Sequence, residues 1–111
     1  REIRHSGATA HDAALDVADA EGVERVVADV LRRFGRIDIL VNNAGIGARM
    51  PTVGMPTERW DRVVDVGLNG TFYCSRAVGK HMIAQGRGAV VNVSSIMGLS
   101  GGGLYPNPAY H

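Results

Sequence analysis

Asn42-Asn43-Ala44-Gly45 follows directly on the apolar run Ile37-Asp38-Ile39-Leu40-Val41, so two amides and two small residues stand where that run ends. An amide side chain offers both a donor and an acceptor to groups that would otherwise be buried unpaired, while Ala and Gly let a ligand approach the backbone closely. Asn and Gly are also common turn formers. A nearly continuous apolar run before them reads as a parallel strand buried on both faces, and the carboxyl ends of such strands are where open α/β sheets place a ligand crevice. Ser94-Ser95 ends a second apolar run, Ala89-Val90-Val91-Asn92-Val93. No Gly-x-Ser-x-Gly elbow surrounds these serines, which argues against a covalent serine mechanism. Tyr105 and Tyr110 carry phenols with an ordinary pKa of about 10, so either works near neutrality only beside positive charge. Asp16 closes a short apolar stretch, Ala13-Ala14-Leu15, and taken alone it favours the reading of a solvated charge. His5, His11, His81 and His111 lack metal-ligand spacing, and Cys74 reads as a small packing residue.

These residues need elements to hold them. Ala13 to Val17 reads as a short strand, with Asp19 placed to cap the helix that follows. Val23, Val26, Val27, Val30, Leu31 and Phe34 recur at three- and four-residue spacing, which puts one apolar stripe on a helix from about Ala20 to Arg33, closed by Gly35. A loop with Pro51, Gly54 and Pro56 separates the Asn-rich strand end from a helix that Thr57 can cap and that turns Trp60, Val63 and Val64 inward. A further helix is expected over Thr71 to Ala84, broken by Gly86-Arg87-Gly88 before the strand that ends in Ser94-Ser95. Gly98 to His111 reads as a loop. The order strand, helix, strand, helix pair, strand predicts an α/β fold with parallel strands and right-handed crossovers.

Composition narrows the function classes. The chain has 111 residues, 45% hydrophobic and 21% charged, with a net charge of +1. That is ordinary globular composition and gives no sign of nucleic acid or an anionic membrane surface as partner. A single cysteine excludes an internal disulfide framework and fits a reducing compartment. No apolar run approaches the roughly 20 residues of a membrane helix, and no secretory leader is visible. A cytoplasmic location is the expectation. Asn69-Gly70-Thr71 and Asn92-Val93-Ser94 match the glycosylation pattern but fall in an expected helix and strand.

Taken in order along the chain, Asp16-Val17, Gly35 to Gly45, Val91 to Ser95 and Tyr110 resemble the short-chain dehydrogenase/reductase family, in its Asn-Asn-Ala-Gly-bearing group. The resemblance covers essentially the whole chain. It implies a partial Rossmann-like, doubly wound parallel sheet with flanking helices, using NAD or NADP. It further implies that Asp16 and Val17 meet the adenine of the cofactor, that Asn42 ties neighbouring strands together, and that Asn43, Ala44 and Gly45 line the cofactor ribose. Ser95 would hold the oxygen of a small alcohol or carbonyl substrate, and Tyr110 would exchange the proton as hydride moves between nicotinamide and carbon. The family supplies the positive charge beside that Tyr from a Lys four residues on. Tyr105 has Ala109 at that spacing, so it reads as a loop aromatic.

Two departures from the family pattern stand out. Gly67 occupies the place after Asp65-Val66 where the family carries an Asn that helps hold a water relay, and Asn69 falls elsewhere on a helix. The competing reading of Gly67 and Gly70 is helix packing, since each costs about 1 kcal/mol of helix propensity that close approach of another backbone can offset. The family's first strand, Gly-rich phosphate turn and second strand would all precede Arg1, and Gly101-Gly102-Gly103 does not replace that turn. Residues 1–111 therefore read as a partial NAD(P)-binding Rossmann domain lacking the N-terminal Gly-rich βαβ unit and the C-terminal part. In a sheet ordered 3-2-1-4-5-6, the strand ending at Asp16 is third and the one ending at Asn42 is fourth, so they would not be neighbours. A homodimer or homotetramer is implied, paired through the helix containing Phe72 to Met82. The expected activity is alcohol–carbonyl interconversion; the alternatives are a non-catalytic nucleotide-binding relative, made plausible by Gly67, and an inactive truncated fragment.

Overall fold

The computed structural model describes residues 7–47 and 50–95. Helix α1, Ala20–Phe34, forms where the three- and four-residue apolar spacing predicts it. Gly35 closes it with φ 84°, its N–H donating to the Leu31 carbonyl, a left-handed conformation that Gly adopts without a Cβ penalty. Asp19 sits at the N-cap position, but its side chain caps nothing. Its carboxylate lies 3.6 Å from Arg25, an exposed ion pair that takes the place of the expected cap.

Strand β1, Ile39–Asn42, and strand β2, Ala89–Asn92, pair in parallel with Ile39 opposite Ala89 and Asn42 opposite Asn92. Between them lie a short 3₁₀ turn at Thr52–Gly54, helix α2 at Thr57–Val64, a π-helical turn at Asp65–Asn69, and helix α3 at Gly70–Gln85. The expected helix pair is therefore one helical run with a π turn at its joint. Gly86, at φ 78°, ends it. Gln85 then binds the strand lead-ins to the helix: its Oε1 accepts the Ile37 N–H at 3.2 Å, and its Nε2 donates to the carbonyls of Ile37 at 2.9 Å and Arg87 at 3.3 Å.

The core lies between α1, α3 and one face of β1. Val23, Val27, Ala77, Val78 and Met82 are buried together, with Leu31, Ile37, Leu40, Tyr73 and Cys74 packed against them. Lys80 and Glu24 close the edge of this helix pair with an exposed contact of 3.1 Å. Burial of this apolar stripe holds the helices to the strands at roughly 25 cal/mol per Å² removed from water.

Four further expectations are corrected. Ala13 to Val17 forms no strand, because a strand is completed by its neighbour's hydrogen bonds and no described segment pairs with it. The two strands are not buried on both faces: Ile39 is 64% and Val41 55% exposed, since the described helices cover only the Leu40 side. Thr57 is the first helical residue and Pro56 the N-cap, with no side-chain cap bond. A Pro there fixes an extended backbone and leaves the first turn's donors uncapped by side chains. Trp60 is 44% exposed and rests in a shallow recess with Thr52, Met55 and Thr57, while Val63 of α2 and Val66 of the π turn are buried.

Candidate functional site

At Asn42, β1 reaches the sheet's carboxyl end, and the side-chain amide donates to Asn92 Oδ1 at 2.8 Å and to Ser75 Oγ at 3.1 Å. One side chain thus joins both strands to α3. The Val93 N–H continues the ladder to the Asn42 carbonyl at 3.0 Å, so the two chains leave the sheet side by side. Beyond that point residues of both segments and of the helical run line a cleft of about 410 Å³.

Asn43, Ala44, Gly45 and Ile46 form one wall of the cleft. Val93, Ser94 and Ser95 form a second, so the amide–small-residue segment and the serine pair face a common space. Val63, Val64, Gly67, Leu68 and Thr71 close it from the joint between α2 and α3. Gly67 has nothing within 4 Å of where a Cβ would lie, so the π turn leaves open room rather than a tight helix contact. Its carbonyl accepts from Thr71 Oγ1 at 2.9 Å. Asn69 donates its amide to Asp65 Oδ1 at 2.8 Å and lines no part of the cleft. π turns of this kind recur at functional sites.

Asp16 and Val17 stand apart from this cleft but are tied to its helical wall. The Ala18 N–H donates to Asp16 Oδ1 at 3.0 Å and the Asp19 N–H to the Asp16 carbonyl at 3.0 Å, which turns the chain into α1. Arg62 of α2, beside the cleft residues Val63 and Val64, donates from Nη1 to Asp16 Oδ2 at 3.1 Å and more weakly to Oδ1 at 3.4 Å. The Ala18 N–H first and the Arg62 guanidinium second hold the Asp16 carboxyl below its ordinary 3.8, against a smaller opposing effect of burial. Val17 packs on α3 where a Cβ at Gly70 would come within 2.7 Å of Val17 Cγ2 and 3.4 Å of its carbonyl. Gly70 therefore meets a close neighbour, the Val17 side chain rather than another backbone, and Gly67 meets none.

Of the residues singled out from sequence, Asn43, Ala44, Gly45 and Ser95 share one cleft, while Asp16 and Val17 are placed against its supporting helices. Tyr110, Tyr105 and the glycines at 101–103 lie outside the described residues. Arg62 and Thr71 were not singled out. No local pattern links Arg62 to a carboxylate 46 residues away, whereas Thr71 follows Gly67 by four residues, the spacing at which a threonine hydroxyl reaches back to a helix carbonyl. Burial pushes the Cys74 thiol up, as fits a packing residue. Among the described residues no group of His, Cys, Asp or Glu is arranged to hold a metal, and no helix is long and apolar enough to cross a membrane.

The short chain dehydrogenase family model matches residues 1–110. A short-chain reductase protein, NovJ of Streptomyces niveus, is 47% identical over 85% of this chain and 36% of its own length. The 3-oxoacyl-[acyl-carrier-protein] reductase FabG of Thermotoga maritima is 45% identical over 78% of this chain and 35% of its own length. Among solved structures, gox2181 superposes with a TM-score of 0.94 at 34% identity, covering 98% of this chain and 43% of that one. NAD+-bound xylitol dehydrogenase gives 0.89 at 37% identity, covering 97% and 41%. The chain thus spans well under half the length of these relatives, and what it shares with them is an α/β, Rossmann-like architecture. It belongs to the short-chain dehydrogenase family.

Proposed function

We propose that the protein carrying this chain is an NAD(P)-dependent oxidoreductase that interconverts an alcohol and a ketone or aldehyde. The observation that carries this reading is the single cleft at the strands' carboxyl ends, where Asn43-Ala44-Gly45 faces Ser95 across about 410 Å³. The residues present fit a dinucleotide: Ala44 and Gly45 are exposed and carry little or no side chain, Gly67 leaves space unfilled, and Asp16 is an exposed acceptor held as a carboxylate. Asn43, Ala44 and Gly45 would hold the ribose, and Asp16 with Val17 the adenine. The nicotinamide, when bound, supplies or accepts the hydride. Ser95 orients the substrate oxygen and stabilises the charge that develops on it. Tyr110 gives or takes the proton at that oxygen.

Relatives named as reductases and dehydrogenases, one of them NAD+-bound and another with bound NADP, support the same class of reaction with either dinucleotide. In this reading residues 1–111 are the middle part of an NAD(P)-binding Rossmann domain, without the N-terminal Gly-rich βαβ unit and the C-terminal part, and the complete enzyme is a cytoplasmic homodimer or homotetramer.

The test is turnover by the complete gene product with NAD and NADP across simple alcohols and carbonyls, read from the absorbance of reduced nicotinamide. Tyr110→Phe is expected to keep dinucleotide binding and lose about 10²- to 10⁴-fold in kcat; unchanged turnover would remove Tyr110 from the mechanism. One observation favours a second reading. Gly67 brings no side chain to the cleft where the family carries an amide. Dinucleotide binding without turnover on any substrate would favour a non-catalytic relative.

A further inference from the structure

Arg62 sits next in sequence to two cleft residues, Val63 and Val64, yet its own guanidinium leaves the cleft and reaches Asp16. We infer that Arg62 is a positioning residue for purine recognition, fixing the Asp16 carboxylate so that one oxygen lone pair is presented to the exocyclic 6-amino group of the cofactor's adenine. The inference rests on the proposed role of Asp16 and goes beyond it in naming what makes that carboxylate selective.

A carboxylate has about four acceptor positions on its two oxygens. Oδ1 accepts the Ala18 N–H at 3.0 Å and a long contact from Arg62 at 3.4 Å, which occupies that oxygen. Oδ2 accepts from Arg62 Nη1 at 3.1 Å and keeps one position open. Without Arg62 the Ala18 N–H at 3.0 Å alone would hold the carboxylate; its terminal torsion is broad and roughly two-fold, so either oxygen could take that bond and the other would face a ligand or water with its direction set from one side only. With Arg62 in place, only Oδ2 remains available and its direction is set from both sides, by the turn at Ala18 and by α2. A donor NH₂ satisfies that acceptor; a 6-oxo purine brings a carbonyl oxygen against it and is repelled. Because Arg62 belongs to the element that also supplies Val63 and Val64, the purine contact and the cleft wall are held in fixed relation.

An exposed ion pair of this kind contributes little to stability by itself, so a structural role and a recognition role predict different results. The experiment measures, by calorimetric titration of the complete gene product, the dissociation constants of the dinucleotide it uses and of the hypoxanthine analogue, in which the adenine 6-amino group is replaced by a carbonyl. The wild type is expected to prefer adenine. Arg62→Met is expected to reduce that preference about three- to tenfold, the scale of one misaligned charge-assisted hydrogen bond, and Arg62→Lys, a point charge without the planar fork, to restore part of it. Asp16→Asn abolishes the preference. If Arg62→Met weakens both dinucleotides equally, or leaves the preference intact while Asp16→Asn removes it, Arg62 does not position the carboxylate and the inference is overturned with the role of Asp16 left standing. If the wild type itself does not discriminate, or Asp16→Asn leaves the preference unchanged, the adenine role of Asp16 fails first. Arg62→Lys keeps the charge beside Asp16 and reads the same ratio where Arg62→Met does not fold.

Discussion

Gly67 sits where a side chain would enter the cleft and meet nothing within 4 Å, so substituting it has a chemical effect without a steric one. Its carbonyl already accepts from Thr71, and Asn69 is bound to Asp65, so neither neighbour supplies an amide to the cleft. Gly67→Asn in the complete gene product is expected to fold with a melting temperature no lower than that of the wild type and to raise kcat by restoring a polar group there. Steady-state kinetics decides it, and no gain in turnover would show that the missing amide does not limit the rate. A second residue-scale expectation concerns Asp16. Its carboxyl lies below the ordinary 3.8, so the contribution of its contacts to stability is complete above that value and is lost as pH falls through the lower folded-state value. Carbon-detected NMR titration should find Asp16 below 3.8 in the wild type and closer to it in Arg62→Met; the same value in the variant as in the wild type would mean that Arg62 contributes nothing to its ionisation.

The two glycines of the helical run separate at the scale of the element. Gly67 is open, whereas Gly70 lies against Val17, whose Cγ2 would stand 2.7 Å from an added Cβ. Gly67→Ala should therefore gain up to about 1 kcal/mol from helix propensity, while Gly70→Ala should lose about 1 kcal/mol or more because overpacking outweighs the same gain. Urea unfolding of the complete gene product measures both, and equal effects would contradict the packing difference. Gln85→Ala should cost about 1 kcal/mol, since three backbone contacts with the lead-ins to β1 and β2 are lost to water. Helix α1 was legible in the sequence because its apolar stripe and its Gly35 stop are local signals. The joint between α2 and α3 was not: a π turn shifts the register without changing residue type, so Gly67 and Gly70 resemble breaks in a pattern that in fact runs on. The Ala13–Val17 segment has a strand's composition but no described partner, and composition cannot supply the hydrogen bonds that complete a strand.

At the scale of the whole molecule, the cleft was legible where chemistry is carried by contiguous residues and illegible where it depends on distant ones. Asn43-Ala44-Gly45 and Ser95 announced themselves at the ends of two apolar runs, and the parallel pairing of those runs brings them together. The Arg62–Asp16 contact joins residues 46 apart through tertiary placement alone. The same dependence on tertiary context governs stability. Parallel strands are ordinarily covered on both faces and belong to larger sheets, yet β1 and β2 form a two-stranded sheet among the described residues, with Ile39, Val41, Val90 and Val91 between 44% and 64% exposed. A pair this small is marginal without further strands or a second helical layer, and its open edges and apolar face template association with other copies. The segment of residues 1–111 expressed alone is therefore expected to aggregate or to melt without a cooperative transition, measured by size-exclusion chromatography followed by a thermal scan. A soluble monomer with a sharp unfolding transition would show that the α1–α3 core, built on Val23, Ala77 and Val78, is sufficient to hold the two strands without further cover.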